Sequence, residues 1–152
     1  MFFFLLLQKI FCLLCFCTLV LVSAFKPTAL IPRVSRISLK MVTITEGVEF
    51  DTVAREWRMK WSPENDKKSL AEVQKVLNKY IADIKAVNGV ANVQRVVCGG
   101  CMDFKVITSL PADKFALWEG VGFAPEERFL SDVKSVDGVT TVETQTYTLM
   151  PM

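Results

Sequence analysis

A twelve-residue pattern occurs twice in this chain. Ala82-Asp83-Ile84-Lys85-Ala86-Val87-Asn88-Gly89-Val90-Ala91-Asn92-Val93 is echoed by Ser131-Asp132-Val133-Lys134-Ser135-Val136-Asp137-Gly138-Val139-Thr140-Thr141-Val142, at an offset of 49 residues. Each copy reads as the last turn of a helix, a glycine suited to the left-handed cap, and the entry into a strand. A chain that leaves a helix for a strand in the same way twice is constrained to two similar halves.

The remaining sequence supplies the rest of each half. Val53 to Trp61 alternates, with Val53, Arg55, Trp57, Met59 and Trp61 on one side and Glu56, Arg58 and Lys60 on the other, the signature of a half-buried strand. After Ser62-Pro63-Glu64, a cap candidate followed by proline at a first helical position, apolar residues from Leu70 through Val73, Leu77, Tyr80 and Ile84 to Val87 recur at helical spacing. Val90 to Val97 and Met102 to Ser109 read as strands joined by a tight Gly-Gly hairpin, Cys98-Gly99-Gly100-Cys101. A second helical region runs from about Asp113 to Val136, interrupted between Gly120 and Pro125, and threonine-rich Thr140 to Met150 forms a last strand. The order β-α-β-β-α-β predicts an α+β, ferredoxin-like sandwich, an antiparallel sheet with helices on one face. The face left open carries Glu56, Arg58, Lys60, Glu143, Gln145 and Tyr147, a mixture suited to a polar assembly surface.

The first forty residues differ from this domain. Between Met1 and Ala24 only Gln8, Lys9, Thr18 and Ser23 fall outside the apolar class, and Val22-Ser23-Ala24 offers small residues where a signal peptidase reads. Residues 1–24 are expected to be a cleavable signal peptide; the alternative is an uncleaved anchor with Lys9 snorkelling. Residues 25–40 hold Lys26, Arg33, Arg36 and Lys40, two prolines and no acid, the composition of a transit peptide. A signal followed by a transit peptide beginning at Phe25 resembles the bipartite presequence of algae whose plastids have extra membranes. It implies a plastid protein, in the stroma; an ordinary secreted protein would leave the basic, acid-free segment unexplained.

Charge and composition then apply to residues 41–152, the expected mature domain. Five of the eighteen basic residues and none of the sixteen acidic ones precede Met41, so the net charge of +2 becomes −3 on the remaining 112 residues. With 51% apolar residues in the whole chain, a domain of this size can bury a core, and no stretch is apolar enough for a membrane span in the mature chain. The lysines are scattered, which argues against a nucleic-acid footprint. The chain has no histidine, so Ser-His-Asp and Cys-His catalysis and imidazole metal ligation are excluded.

The segment Val93 to Val106, with the later Val136-Asp137-Gly138-Val139-Thr140-Thr141-Val142-Glu143-Thr144, resembles the effector-binding domain of the Lrp/AsnC regulators over roughly Val53 to Leu149. In that family a Gly-x-x-Asp turn joins the central strands and a Gly-Val-x-x-x-x-Thr pattern opens the last one. Gly100, Asp103, Gly138, Val139 and Thr144 occupy those places here. The resemblance implies a module that dimerises through its sheets and binds a small ligand near the hairpin turn, with Gly100, Asp103 and Thr144 as ligand-binding candidates. No helix-turn-helix precedes the domain, so DNA binding is not implied.

Each chemical candidate has a plainer alternative. Cys98 and Cys101 form a Cys-x-x-Cys pair that can serve as a regulatory dithiol, as half of a four-cysteine metal site completed across a dimer, or simply as strand-end residues beside the Gly-Gly turn. Asp103 can receive a ligand amino group or cap the loop. Glu126 and Glu127, after Pro125, complement a helix dipole. Trp57 and Trp61 pack against the helices. Trp118 and Phe123 flank the glycines of an expected loop, where they contact a partner or fold back on the core. No cofactor is called for. The chain is expected to be a non-enzymatic plastid module, associating as a homodimer or complex subunit through its open sheet and sensing a metabolite or redox state. The alternatives are an accessory subunit of a photosystem or antenna complex and, third, a small enzyme of the dimeric α+β barrel type, disfavoured by the missing histidine and the lack of an acid-base pair.

Overall fold

The computed structural model describes residues 41–151; the signal and transit segments assigned to residues 1–24 and 25–40 lie outside them. Nine elements follow one another: β1 (Val42–Thr45), β2 (Val48–Phe50), β3 (Thr52–Lys60), α1 (Glu64–Lys85), β4 (Asn92–Val97), β5 (Asp103–Pro111), α2 (Ala112–Gly120), α3 (Glu126–Lys134) and β6 (Thr140–Leu149). The four-stranded sheet has the order β4-β5-β3-β6, antiparallel throughout. This is the ferredoxin-like α+β sandwich expected from the sequence.

The order follows from burial. Val53, Trp57 and Met59 of β3 and Phe104, Val106 and Leu110 of β5 are buried on one face, against Val73, Leu77, Tyr80 and Ile84 of α1, Phe115 and Trp118 of α2, and Phe129 and Val133 of α3. Trp57 lies beside Val106 and Met59 beside Phe104 in the β3–β5 ladder, so the alternation of each strand adds to one apolar layer. The aromatic rings interlock, with Trp57 stacked on Phe129 at 4.8 Å and Tyr80 edge-on to Phe129 at 5.9 Å.

The two echoed segments adopt the same geometry. Gly89 and Gly138 are both left-handed, at φ +89° and +81°. In each copy the first strand-entry residue donates back to the helix end, Val90 N–H to Val87 O and Val139 N–H to Val136 O, both at 3.2 Å. Glycine is required at Gly89 for a second reason, since a Cβ there would lie 2.5 Å from Cγ of Lys114.

Two local expectations are corrected, and one element is added. The regular part of α1 starts later than Pro63, because Asn65, Asp66 and Lys67 all have φ between 51° and 60°; Ser62 still serves the entry, its Oγ accepting from Glu64 N–H at 3.2 Å and its carbonyl from Ser69 Oγ at 3.1 Å. The β4–β5 connection is not a two-residue Gly-Gly turn. It spans residues 98–102, and its left-handed residue is Met102 (φ 55°), not a glycine. Ahead of β3, β1 and β2 form a separate two-stranded hairpin that pairs Val42 with Phe50. Its alternation is too short to stand out in the sequence.

Candidate functional site

β3 is central in the sheet and presents a different chemistry on each side. On the helix side, Arg55 is the only ionisable residue between Val53 and Met59 on the apolar face. A charge in that position needs a partner, and α3 brings one. Arg55 Nε and Nη2 donate to Glu126 Oε2 and Oε1, both at 2.7 Å, a bidentate pair with both side chains 14% exposed. Trp57 Nε1 donates to the same Glu126 Oε2 at 2.6 Å. Arg55 also donates to Thr144 Oγ1 at 2.9 Å and Thr146 Oγ1 at 3.0 Å on β6, and Phe123 covers it, its ring centroid 4.2 Å from the guanidinium carbon. Three N–H donors from β3 thus converge on one carboxylate inside an aromatic wall made by Trp57, Trp118, Phe115 and Phe123. Glu126 also lines a cleft of about 380 Å³ with Gly122, Glu127, Leu130, Ser131 and Lys134.

The open face of the sheet holds a second polar cluster. Asp103 is buried on the side of the sheet opposite α1, α2 and α3. It accepts from Arg58 Nε at 3.0 Å and Lys60 Nζ at 2.9 Å, and Arg58 reaches Glu143 at 3.3 Å. The hydrogen bonds from Lys60 and then Arg58 hold the Asp103 carboxyl below its ordinary range against the opposing effect of burial. Beside it, buried Glu56 accepts from Tyr147 Oη at 3.1 Å. Its other oxygen accepts no well-aligned hydrogen bond but lies 2.9 Å from Lys105 Nζ, so its charge is met. Burial, and next the adjoining Glu56 charge, push the Tyr147 phenol up to about 12.

The residues singled out in the sequence are therefore distributed. Asp103 faces the open side and Thr144 the helix side, while Gly100 is exposed in the β4–β5 loop; the three do not form one ligand site. Asp103 is an ion-pair hub and not a loop cap. Trp118 and Phe123 fold inward instead of facing a partner: Trp118, in the last turn of α2, is 3% exposed and donates from Nε1 to Ala124 O at 2.8 Å, and Phe123 packs edge-on against it at 5.3 Å. Cys98 and Cys101 are disulfide-bonded, with Cα atoms 5.6 Å apart. Among the described residues no group of three or more Cys, Asp and Glu is placed to hold a metal, and no helix is long and apolar enough to cross a membrane. The Arg55–Glu126 pair spans 71 residues of sequence and was assigned only a helix-dipole role from the Glu126 side. The signal that points to it is the arginine on the apolar face of β3.

No family model and no curated protein matches the chain. Among solved structures its fold resembles that of a Caulobacter crescentus CB15 protein assigned as an antibiotic biosynthesis monooxygenase, with 14% identity, a TM-score of 0.51, and coverage of 67% of this chain and 92% of that one. It likewise resembles the monooxygenase from the gene ActVA-Orf6 of Streptomyces coelicolor, solved with the ligand Nanaomycin D, at 11% identity and a TM-score of 0.51 over 68% of this chain and 90% of that one. These are likenesses of fold. They correct the expectation of a non-enzymatic module, because these two structures of the same fold are described as monooxygenases. The small enzyme of the dimeric α+β barrel type, ranked last from the sequence, is the reading these likenesses favour. Excluding catalysis on the missing histidine was an error of scope: it removes imidazole chemistry and leaves carboxylate, guanidinium and indole groups untouched.

Proposed function

We propose that the domain is a small monooxygenase of the dimeric α+β barrel type, acting on a compact phenolic substrate beside Arg55, Trp57 and Glu126. The observation that carries this reading is the convergence of Arg55 Nε, Arg55 Nη2 and Trp57 Nε1 on the Glu126 carboxylate, 2.6–2.7 Å away; of these three residues Glu126 alone lines the adjoining cleft of about 380 Å³. The fold likeness to monooxygenases supports the reaction class.

A phenolate oxygen resembles a carboxylate oxygen in charge and size, so it can replace one oxygen of Glu126 on the Arg55 and Trp57 donors. Glu126, released from those donors, is then the group that takes the phenolic proton. The electron-rich anion reacts with dioxygen at an activated CH2, which becomes C=O; the second oxygen atom leaves as water with the two hydrogens. The substrate supplies all the electrons. Arg55 is a binding residue in this scheme, Glu126 the base, and Thr144 and Thr146 orient the guanidinium.

The test uses the full chain under ¹⁸O₂ with a panel of polycyclic phenols that carry an activated CH2. One labelled oxygen per product is expected, with Glu126→Gln reducing the rate by roughly 10²- to 10⁴-fold, the usual worth of a general base. Product without label, or a Glu126→Gln rate equal to that of the parent chain, sinks the assignment.

The basic, acid-free segment between Phe25 and Lys40, following an apolar one, supports import into a plastid. Residues 1–40 fused to a fluorescent protein are expected to direct it to the plastid of an alga with complex plastids. Fluorescence in the medium would instead mean a secreted protein.

A further inference from the structure

The Cys98–Cys101 pair has no part in the chemistry proposed above, yet it is fastened to the sheet in a specific way. The loop over residues 98–102 is tied to its neighbours at three points. Cys98 N–H donates to Asp103 O at 2.9 Å and Trp61 N–H to Met102 O at 3.0 Å. Lys60 Nζ donates to Cys101 O at 2.7 Å while also bridging to Asp103 at 2.9 Å. Between these ties Met102 is left-handed at φ 55°, a conformation that a side-chain-bearing residue keeps only when its surroundings hold it. The loop is also open to approach: Cys101, Gly99 and Gly100 are exposed, and nothing lies within 4 Å of where a Cβ would sit on either glycine.

We infer that Cys98 and Cys101 are a reversible disulfide, exchanged with a dithiol protein of the Cys-x-x-Cys class, whose state sets how firmly the β4–β5 loop is fastened to the open face of the sheet. In the reducing direction a thiolate of the partner attacks Sγ of exposed Cys101. The Cys98–Cys101 bond breaks, and Cys98 leaves as a thiolate and takes a proton. The partner's second thiol then attacks the mixed disulfide, giving up its proton to free Cys101 as a thiol, and the partner ends as a disulfide. Two electrons and two protons pass to this chain. Without the covalent tie Met102 relaxes, the Cys101 carbonyl leaves Lys60, and Lys60 is held by Asp103 alone. The switch therefore acts on the Lys60–Asp103–Arg58 row and not on the Arg55–Glu126 cluster, which is on the other side of β3.

The experiment uses the full chain, purified without reductant and divided between untreated and dithiol-protein-treated samples. Differential alkylation with peptide mapping reads Cys98 and Cys101 separately from Cys12, Cys15 and Cys17, and amide hydrogen exchange reads the Cys98 and Trp61 N–H groups. Expected are no free thiols in the mapped peptide before treatment and two after it, with loss of protection at both amides on reduction. A Cys98→Ser/Cys101→Ser variant should show the reduced-state exchange whether or not reductant is present. Free thiols in the air-purified chain overturn the inference. So does a disulfide that yields only to small-molecule reductant in denaturant, or protection that is the same in both states.

Discussion

Buried charge on the sheet face opposite α1, α2 and α3 is the most demanding feature at the scale of single residues. Glu56 and Asp103 are 4% and 5% exposed, and each survives because cations or a phenol meet it within hydrogen-bond reach. Their titration has a defined sign. Tyr147 is raised to about 12 in the folded chain, whereas an unfolded tyrosine titrates near 10. Its contribution is therefore complete below about pH 10 and disappears as pH rises through 12, because the unfolded chain releases that proton first. Asp103 works in the opposite sense: its lowered value favours the folded chain above the ordinary carboxylate range and is lost as pH falls through the folded value. Urea unfolding between pH 9 and pH 12 is expected to show a steeper alkaline loss in the parent chain than in Tyr147→Phe; equal slopes would mean that folding does not raise the phenol. On the acid side, Asp103→Asn should flatten the decline in the same assay.

At the scale of elements, the two helix exits make a paired prediction. Gly89→Ala and Gly138→Ala both force a left-handed alanine, at a cost of about 1–2 kcal/mol. Only Gly89 adds a close steric conflict, with a Cβ 2.5 Å from the Lys114 stem against 3.3 Å to the nearest atom at Gly138. Gly89→Ala is therefore expected to lower the urea midpoint more than Gly138→Ala, and a reversed order would mean that Lys114 swings away freely. These exits were legible in the sequence because a glycine cap is a local signal, and β3 was legible because large apolar residues take every second position from Val53 to Trp61 except Arg55. What escaped notice is non-local or conformationally unusual. Nothing near Arg55 names Glu126, 71 residues away. Nothing in Asn65-Asp66-Lys67 announces three consecutive left-handed residues, and in the Cys-Gly-Gly-Cys turn the obvious glycines drew attention from Met102. Trp118 and Phe123 looked displayed because glycines flank them, but the apolar pull of Phe115 and Trp57 draws them inward.

At the scale of the whole molecule, α1, α2 and α3 pack on one side of the sheet, and the other side carries Ala54, Ile107 and the charged rows about them. A second copy can cover it, since interfaces of this kind are about as polar as ordinary surface. Light scattering of the full chain is expected to give a dimer, with Ile107→Glu shifting it to monomer. A parent chain that stays monomeric at every concentration would remove that expectation. β3 belongs to both sides at once. Arg55 and Trp57 serve the helix-side cluster, while Glu56 and Arg58, each one peptide bond away, serve the open face. Gain or loss of a single residue within this strand would exchange the two sets, turning the arginine and indole outward and the carboxylate inward. The Arg55–Glu126 cluster and the Asp103–Glu56 face therefore share one reading frame, and length variation that a loop could absorb would disrupt both together.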